Sequence, residues 1–463
     1  MGVGRCGIVI ALIAGMLSGC AGQQKSSVAS ADATNASSTG SSEKSGAGRR
    51  DVKKKTPETG EVQGGHVMAA NARGTYNDGV RRAREGSLDS AEQDFRRVLS
   101  IDGRAYQAAY NLGVIAERRG DEAQAKSYYR QAFQMQSNFA KAIAAYAKLE
   151  IRSGNAAAAL NVAKEKSAQH PSDNAVTNVY ADVLVAAGRY DDAITQAKRV
   201  LKVDELNADA MLCIGKANYK LGRNEMASSI LKRVLKIRPD DAEAYFLLGI
   251  IEQADGRTAV AINQFKNAIA KRPTYVEAMN NLATIYLVSG NYDSAVELLS
   301  TAVAIAPSWG LLYLNLGNAL RGAKRWQESK EATKRAISLS PDLKGAVFNL
   351  GLLYYVADNL DNLDRVGRLN EAKRLFARYK NELGPSLKDD NDVNKYLKEV
   401  QVAIEREETR IARAKERETM EAERAKQRDA APDAKAAEKP AEKPADSKSK
   451  DGQEAPKDDD GWF

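Results

Sequence analysis

The sequence contains little cysteine, little histidine and no long apolar run. Three cysteines and two histidines occur in 463 residues. The two histidines, His66 and His170, are too few to build a metal cluster and cannot pair with each other in a hydrolase arrangement. No glycine-rich phosphate loop follows a strand, because the pattern predicts no strands. We therefore predict no enzyme activity, no metal, no cofactor and no small-molecule substrate.

The apolar run near the N-terminus is too short to cross a membrane. It reads I-V-I-A-L-I-A-G-M-L and follows Arg5, whereas a spanning helix needs roughly 20 residues. A positive charge followed by a short apolar stretch is typical of a secretory signal peptide. The run leads into Leu17-Ser18-Gly19-Cys20, which resembles the lipobox of bacterial lipoproteins. A plain signal peptide with a chance cysteine is the alternative.

The lipoprotein resemblance implies that residues 1–19 are removed and that Cys20 is acylated. Ala21 stands where an aspartate would retain the protein in the inner membrane. The resemblance therefore implies a lipid-anchored protein of the outer membrane that faces the periplasm, although a surface-exposed orientation stays open. Cys213 would be the one cysteine left unmodified, so we expect no intramolecular disulfide.

The two ends of the chain have the composition of disordered segments. Residues 20–65 are mostly Ser, Gly, Ala, Thr and Lys, and residues 429–463 are mostly Ala, Lys, Glu, Pro and Asp. Neither segment has enough large apolar residues to offset the entropy of ordering. The tail ends in Trp462-Phe463, which is either a docking element or a chance aromatic end. Acidic and basic residues are interspersed and the net charge is +8, which gives no nucleic-acid footprint.

A 34-residue repeat fills the centre of the chain. Blocks begin at residues 72, 106, 140, 174, 208, 242, 276, 310 and 344. Position 8 of each block is small: Gly79, Gly113, Ala147, Ala181, Gly215, Gly249, Ala283, Gly317 and Gly351. Position 15 is glycine in the first seven blocks, which predicts a left-handed residue that ends a helix. Block eight departs from the pattern with Lys324 and Ser329 in place of glycine and alanine.

These blocks resemble the tetratricopeptide repeat. The resemblance implies an all-α, right-handed superhelical solenoid of about nine helix-turn-helix repeats over residues 66–385. The ninth block needs about nine extra residues to restore its register, either as a longer first helix or as a projecting loop. Residues 386–428 are predicted to form a capping and charged helix, with Val393, Leu397, Val400 and Ile404 on one face.

The resemblance also implies that the first helix of each repeat lines a concave, peptide-binding face through positions 2, 5, 6, 9, 12 and 13. Position 6 carries Asn77, Asn111, Asn281, Asn315 and Asn349. An amide can both donate to and accept from an extended main chain. Position 13 of the first three blocks carries Arg84, Arg118 and Arg152, a basic row suited to an acidic segment. In the last blocks Leu314, Phe348, Leu352 and Tyr355 form an apolar strip.

The sequence thus predicts a lipid-anchored scaffold that binds other envelope proteins through its groove. Its anchor, linker, repeats and charged tail resemble lipoproteins of bacterial gliding-motility machinery. Two alternatives stay open. One is a pilotin-like assembly factor for a secretin or for a pilus or secretion system. The other is a cell-wall enzyme or its activator.

Overall fold

The computed structural model describes residues 65–384 and 392–429, which form nineteen α-helices and no strand. The signal peptide, Cys20, most of the linker and the tail with Trp462-Phe463 lie outside these residues. The helices are α1 (Ala70–Arg84), α2 (Leu88–Ile101), α3 (Tyr106–Arg118), α4 (Glu122–Met135), α5 (Ala140–Arg152), α6 (Ala156–Gln169), α7 (Asn174–Ala186), α8 (Tyr190–Val203), α9 (Ala208–Lys220), α10 (Asn224–Ile237), α11 (Ala242–Ala254), α12 (Thr258–Lys271), α13 (Val276–Val288), α14 (Tyr292–Ile305), α15 (Gly310–Gly322), α16 (Trp326–Leu339), α17 (Gly345–Val356), α18 (Arg365–Leu383) and α19 (Asp392–Asp429).

The first eighteen helices form nine pairs, which are numbered here as repeats 1 to 9. The odd-numbered helix of each pair is its helix A and the even-numbered one its helix B. In repeats 2 to 8 helix A begins at the first residue of the 34-residue block and has 13 residues, and helix B has 14. The prediction of an all-α stack of about nine helix pairs is confirmed.

In repeats 1 to 8, helix A is followed by a residue in the left-handed conformation. The glycine at position 15 has a positive φ in repeats 1 to 7, from 73° at Gly222 to 84° at Gly86. Lys324 takes the same role in repeat 8 with a φ of 59°. The turn geometry is therefore kept where the glycine is missing, although a left-handed residue with a Cβ is strained.

Helix A packs against helix B of its own repeat at the small residue of position 8. A Cβ added to Gly113 would lie 2.5 Å from the Tyr129 ring, and one added to Gly351 would lie 2.8 Å from the Phe376 ring. In repeat 8 the contact is polar, because Ser329 Oγ donates to the Gly317 carbonyl at 2.7 Å. The small residue thus leaves room for a larger side chain of helix B.

The helices A lie on the inside of the curved stack. In repeats 3 to 6, helix A of one repeat contacts helix A of the next, and the same holds in repeats 7 to 9. No comparable contact joins one helix B to the next helix B in the described residues. Elements on the inner side of a curved stack lie closer together than those outside, so the helices A form the concave face.

The extra residues of repeat 9 form a loop, and helix A is not lengthened. Helix α17 ends at Val356 and α18 begins at Arg365. Leu360 in this loop is buried. Asp361 accepts a hydrogen bond from Tyr354 Oη at 2.5 Å and forms an ion pair with Lys330. The loop is therefore held by Lys330 of α16, which is helix B of repeat 8, and by Tyr354 of α17, which is helix A of its own repeat.

The described chain separates into two units, one up to Val400 and one from Gln401 onward. Within the first unit, the start of α19 packs on repeat 9: Val393 and Val400 are buried. The ring of Tyr396 lies 5.5 Å from that of Phe376 and 5.6 Å from that of Phe348. In the second unit α19 continues as a largely exposed, charged helix. Among the described helices, none combines the length and apolar character needed to cross a bilayer.

Candidate functional site

The concave face of helix A is the candidate binding surface, and its asparagines are partly held by neighbouring repeats. Asn111 Nδ2 donates to Tyr76 Oη at 3.1 Å, and Asn315 Nδ2 donates to Asn280 Oδ1 at 2.8 Å. Each bond joins position 6 of one repeat to position 5 of the repeat before it. One donor of these amides is therefore used inside the stack, and the other polar atoms remain available for a ligand.

The other predicted asparagines differ in exposure. Asn77 is exposed, Asn281 is half-buried and Asn349 is 7% exposed. The two groups at the ends of the array are therefore unlike one another. Asn349 has almost no surface to offer, whereas Asn77 at the opposite end is open.

The predicted basic row of three arginines needs a correction, because two of them have structural partners. Arg118 Nη1 donates to the carbonyl oxygen of Ala83 in the preceding repeat at 3.1 Å. Arg152 forms ion pairs with Glu117 at 3.5 Å and with Glu122 at 3.2 Å, and its side chain is 10% exposed. Only Arg84 of the three is exposed. In repeats 2 and 3, position 13 therefore joins helix A to the repeat before it.

The apolar strip expected in the last repeats also needs a correction. Leu314, Phe348 and Leu352 are buried. Tyr396 of α19 lies 5.6 Å from the Phe348 ring and 6.0 Å from the ring of half-buried Tyr355. Apolar residues at the end of a solenoid need a cover, and α19 supplies it. Phe348 and Tyr355 therefore belong to the terminal packing and do not form an open groove.

Sequence reasoning missed a group of carboxylates at positions 2 and 9 of the middle repeats. The group consists of Asp182, Asp209, Glu243 and Glu277, of which three are exposed and Glu243 is half-buried. Sequence reasoning counted these positions as concave but assigned no role to their carboxylates. The acidic residues at equivalent positions of consecutive blocks were the available signal.

A lysine lies between two of these carboxylates. Lys216 Nζ is 2.8 Å from Glu243 Oε1 and 3.4 Å from Asp182 Oδ1. Burial lowers the pKa of Lys216, but the two carboxylates raise it more, so the net shift is upward. Desolvation by the surrounding helices raises the pKa of Asp182, and the negative charges of Glu243 and Asp209 raise it further, against the opposing effect of Lys216. The carboxylates are therefore close enough to repel one another.

Two lysines of repeat 3 are open on the concave face. Lys141 and Lys148, at positions 2 and 9 of α5, are both exposed. Neither forms a hydrogen bond or ion pair within the described residues. Between them on α5, the concave positions carry only the small side chains of Ala144 and Ala145. Two exposed ammonium groups beside small apolar side chains can contact a polypeptide that lies across the helix.

In the part of the chain that the structure describes, we looked for clusters of metal-binding side chains and for a reactive cysteine. No cluster of three or more His, Cys, Asp or Glu there is arranged to hold a metal ion. Cys213 is buried, and this burial raises the pKa of its thiol, with a further rise from Asp182. A thiol with a raised pKa is a poor nucleophile.

Comparison with known proteins points to the same repeat. Family models described as tetratricopeptide repeat match residues 106–139, 144–209, 184–249 and 253–317. No curated protein matches this chain. The chain is similar to a solved structure of MamA, with 28% identity over 35% of this chain and 95% of that one, and a TM-score of 0.32.

Two further solved structures are similar to parts of the chain. One is TTC0263, a thermophilic tetratricopeptide-repeat protein of Thermus thermophilus, with 22% identity over 40% of this chain and 100% of that one, and a TM-score of 0.35. The other is the APC/C hetero-tetramer Cut9–Hcn1, with 11% identity over 72% of this chain and 77% of that one, and a TM-score of 0.48.

Proposed function

We propose that this chain, whose helix pairs are tetratricopeptide repeats, is a scaffold that holds extended segments of partner proteins on its concave face. The observation that carries the proposal is the run of exposed polar side chains along the helices A, among them Asn77, Lys148 and Glu277. Tetratricopeptide-repeat folds are suited to protein–protein interaction, because their stacked repeats form an extended concave surface.

We further propose that the scaffold is attached to the outer membrane through lipids on Cys20 and faces the periplasm. The support is the sequence Leu17-Ser18-Gly19-Cys20 after a short apolar run. Two or more acyl chains hold a protein stably on a membrane where one does not.

Fractionation tests the anchor. The unaltered chain is expected in the membrane pellet and labelled by palmitate, whereas Cys20→Ser is expected in the soluble fraction without label. Equal membrane association of both proteins would contradict the anchoring proposal.

Crosslinking in the intact envelope tests the scaffold function. A photoreactive residue at exposed Lys148 on helix A is compared with one at exposed Lys198 on helix B. We expect discrete crosslinked partner bands from position 148 and few from position 198. Equal patterns from both positions would contradict binding on the concave face.

We propose, as the specific setting, a gliding-motility complex of the envelope. The support is the resemblance of the anchor, linker, repeats and charged tail to lipoproteins of such machinery. Deletion of the gene is expected to abolish surface motility, with restoration by the unaltered chain. Normal motility together with loss of secretin multimers would instead favour the pilotin-like role.

A further inference from the structure

The charges on the concave face separate by sign along the stack. At the concave positions, repeats 1 to 3 carry six basic side chains and one carboxylate: Arg73, Arg84, Arg118, Lys141, Lys148, Arg152 and Glu117. That carboxylate is buried, where it accepts a hydrogen bond from Tyr129 Oη at 2.9 Å and pairs with Arg152. No exposed carboxylate at these described positions therefore opposes an anion on this part of the face.

The next four repeats have the opposite balance. Their concave positions carry four carboxylates and two lysines: Asp182, Asp209, Glu243, Glu277, Lys216 and Lys220. Lys216 is held between two of the carboxylates, as described above. Glu277 forms no ion pair within the described residues. An acidic segment that extended from repeat 3 into repeats 4 to 7 would meet like charge.

Two exposed cations lie on the same helix in repeat 3. Lys141 and Lys148 are seven residues apart on α5, so they lie two turns apart on one side of the helix, about 10 Å along its axis. That spacing corresponds to about three residues of an extended peptide. Carboxylates two to four residues apart in such a peptide can therefore reach both ammonium groups.

Between these two lysines, Ala144 and Ala145 form a small apolar surface on α5, which is called the floor below. Ala144 is exposed and Ala145 is half-buried. Ala145, Val114 and Val179 pack against the core of repeats 2 to 4 while keeping part of their surface open, and so does Tyr110. Ala144 and Ala145 present only methyl groups on this face, so we expect a large apolar side chain of a ligand to pack on them.

We propose that the concave face of repeats 1 to 3 binds an extended acidic segment of a partner protein that carries a large apolar side chain. Carboxylates of the segment pair with Lys141 and Lys148, and its apolar side chain packs on Ala144 and Ala145. The segment ends before Asp182, where the charge of the face changes sign. This inference rests on the proposed scaffold function and names the kind of segment that the scaffold takes.

Fluorescence anisotropy with labelled peptides and the full chain tests the proposal. The probe is a peptide of about 12 residues, roughly 40 Å long when extended, with alternating Glu and Ser and one central Trp. A second peptide has Ser in place of Trp, and a third has Lys in place of every Glu. We expect the acidic Trp peptide to bind best, the Ser peptide about tenfold more weakly and the basic peptide not detectably. Tightest binding by the basic peptide would overturn the proposal.

Protein variants locate the site. Lys141→Glu/Lys148→Glu is expected to weaken binding of the acidic Trp peptide at least tenfold, whereas Lys198→Glu/Lys232→Glu on exposed helix B positions is expected to leave binding unchanged. Ala145→Trp is expected to fill the floor, so that the Trp and Ser peptides then bind equally. Unchanged helical circular dichroism confirms folding of each variant. Equal losses in both double variants would contradict the assignment.

The crosslinking experiment separates this inference from the scaffold function. Partner bands from positions along the concave face, together with no binding of the acidic Trp peptide, would overturn the ligand class and leave the scaffold function standing. Absence of both would overturn the two proposals together.

Discussion

Gly249 of α11 lies directly against the ring of Phe265 in α12: a Cβ at Gly249 would be 2.6 Å from Phe265 Cε1. The same complementarity recurs along the stack between positions 8 and 24. Glycine at position 8 faces an aromatic side chain in repeats 1, 2, 6 and 9. Where position 8 is alanine, position 24 is smaller: Ala163, Ala197 and Leu299. Repeats 5 and 8 combine glycine with Leu231 and Thr333. Among the described repeats, an aromatic ring at position 24 therefore occurs only where position 8 is glycine.

We expect Gly249→Ala to destabilise the protein by about 1–3 kcal/mol, because the added methyl overlaps a fully buried ring. The measurement is the midpoint of urea unfolding followed by circular dichroism. Adding Phe265→Leu should restore part of the loss, since Leu231 already faces Gly215 in repeat 5. Additive losses in the double variant would show that the overlap is not the cause.

Lys324→Gly is expected to stabilise repeat 8. Lys324 has a φ of 59°, a conformation that costs a residue with a Cβ about 1 kcal/mol. We expect the thermal midpoint to rise slightly. The matched control is Gly256→Lys in repeat 6, where φ is 77°, and we expect its midpoint to fall. A decrease for Lys324→Gly would mean that the lysine side chain makes a stabilising contact.

Arg152→Met should reduce stability by about 3 kcal/mol, because it leaves Glu117 buried without its counterion. Glu117 is 9% exposed at its side chain. Replacing Glu117 with Gln in the same chain should recover part of the loss, since a neutral amide needs no counterion. Arg84→Met, at an exposed position, serves as the control and should change stability little. The measurement is the urea unfolding midpoint of the unaltered protein, Arg152→Met, Arg152→Met/Glu117→Gln and Arg84→Met. Equal midpoints for Arg152→Met and Arg84→Met would contradict the prediction.

Removing the Tyr396 ring should loosen the last repeat. In Tyr396→Ala, the rings of Phe348 and Phe376 lose a partner whose centroid lies 5.6 Å and 5.5 Å away, respectively. We expect a loss of about 3 kcal/mol, faster amide exchange in α17 and α18, and increased binding of an apolar dye. Unchanged exchange in these two helices would argue against a capping role for α19.

The N-terminal end of the stack is expected to weaken in acid. Asp102 accepts hydrogen bonds from His66 Nε2 at 2.8 Å, from Ala69 N at 2.8 Å and from Arg104 N at 3.1 Å. Burial raises the pKa of Asp102, but these hydrogen bonds lower it more, so the net shift is downward. A carboxyl with a lowered pKa stabilises the fold above its unfolded value of about 3.9. That contribution is lost as the pH falls through the lower folded value.

Asp102→Asn should therefore destabilise α1 by about 1–2 kcal/mol at pH 7, with a difference that shrinks below about pH 3.9. Amide exchange of α1 at neutral pH measures the loss of stability in this helix. Urea unfolding of both proteins over a series of pH values down to about pH 3 measures how their difference in stability depends on pH. A difference that is constant over this pH range would exclude the carboxylate as its source.

Much of the architecture could be predicted from the repeat. The glycines at position 15 and the small residues at position 8 act within one or two helices, so their effect is visible in a single block. The left-handed conformation of Gly222 and the close approach at Gly113 both follow from this local logic. The function of Arg152 could not be predicted in this way, because its partners are fixed only when repeats 2 and 3 are stacked.

The sequence by itself determined the helix pairs and their order, since a 34-residue period sets where each helix begins and ends. Only the tertiary structure decided which concave side chains stay open. Tyr396 of α19 packs on Phe348, which is buried. Arg118 and Arg152 bind groups of the preceding repeat. Lys141 and Lys148 stay exposed. The exposure of a concave side chain depends on residues at least one repeat away in the chain. The pattern within a single block therefore cannot predict it.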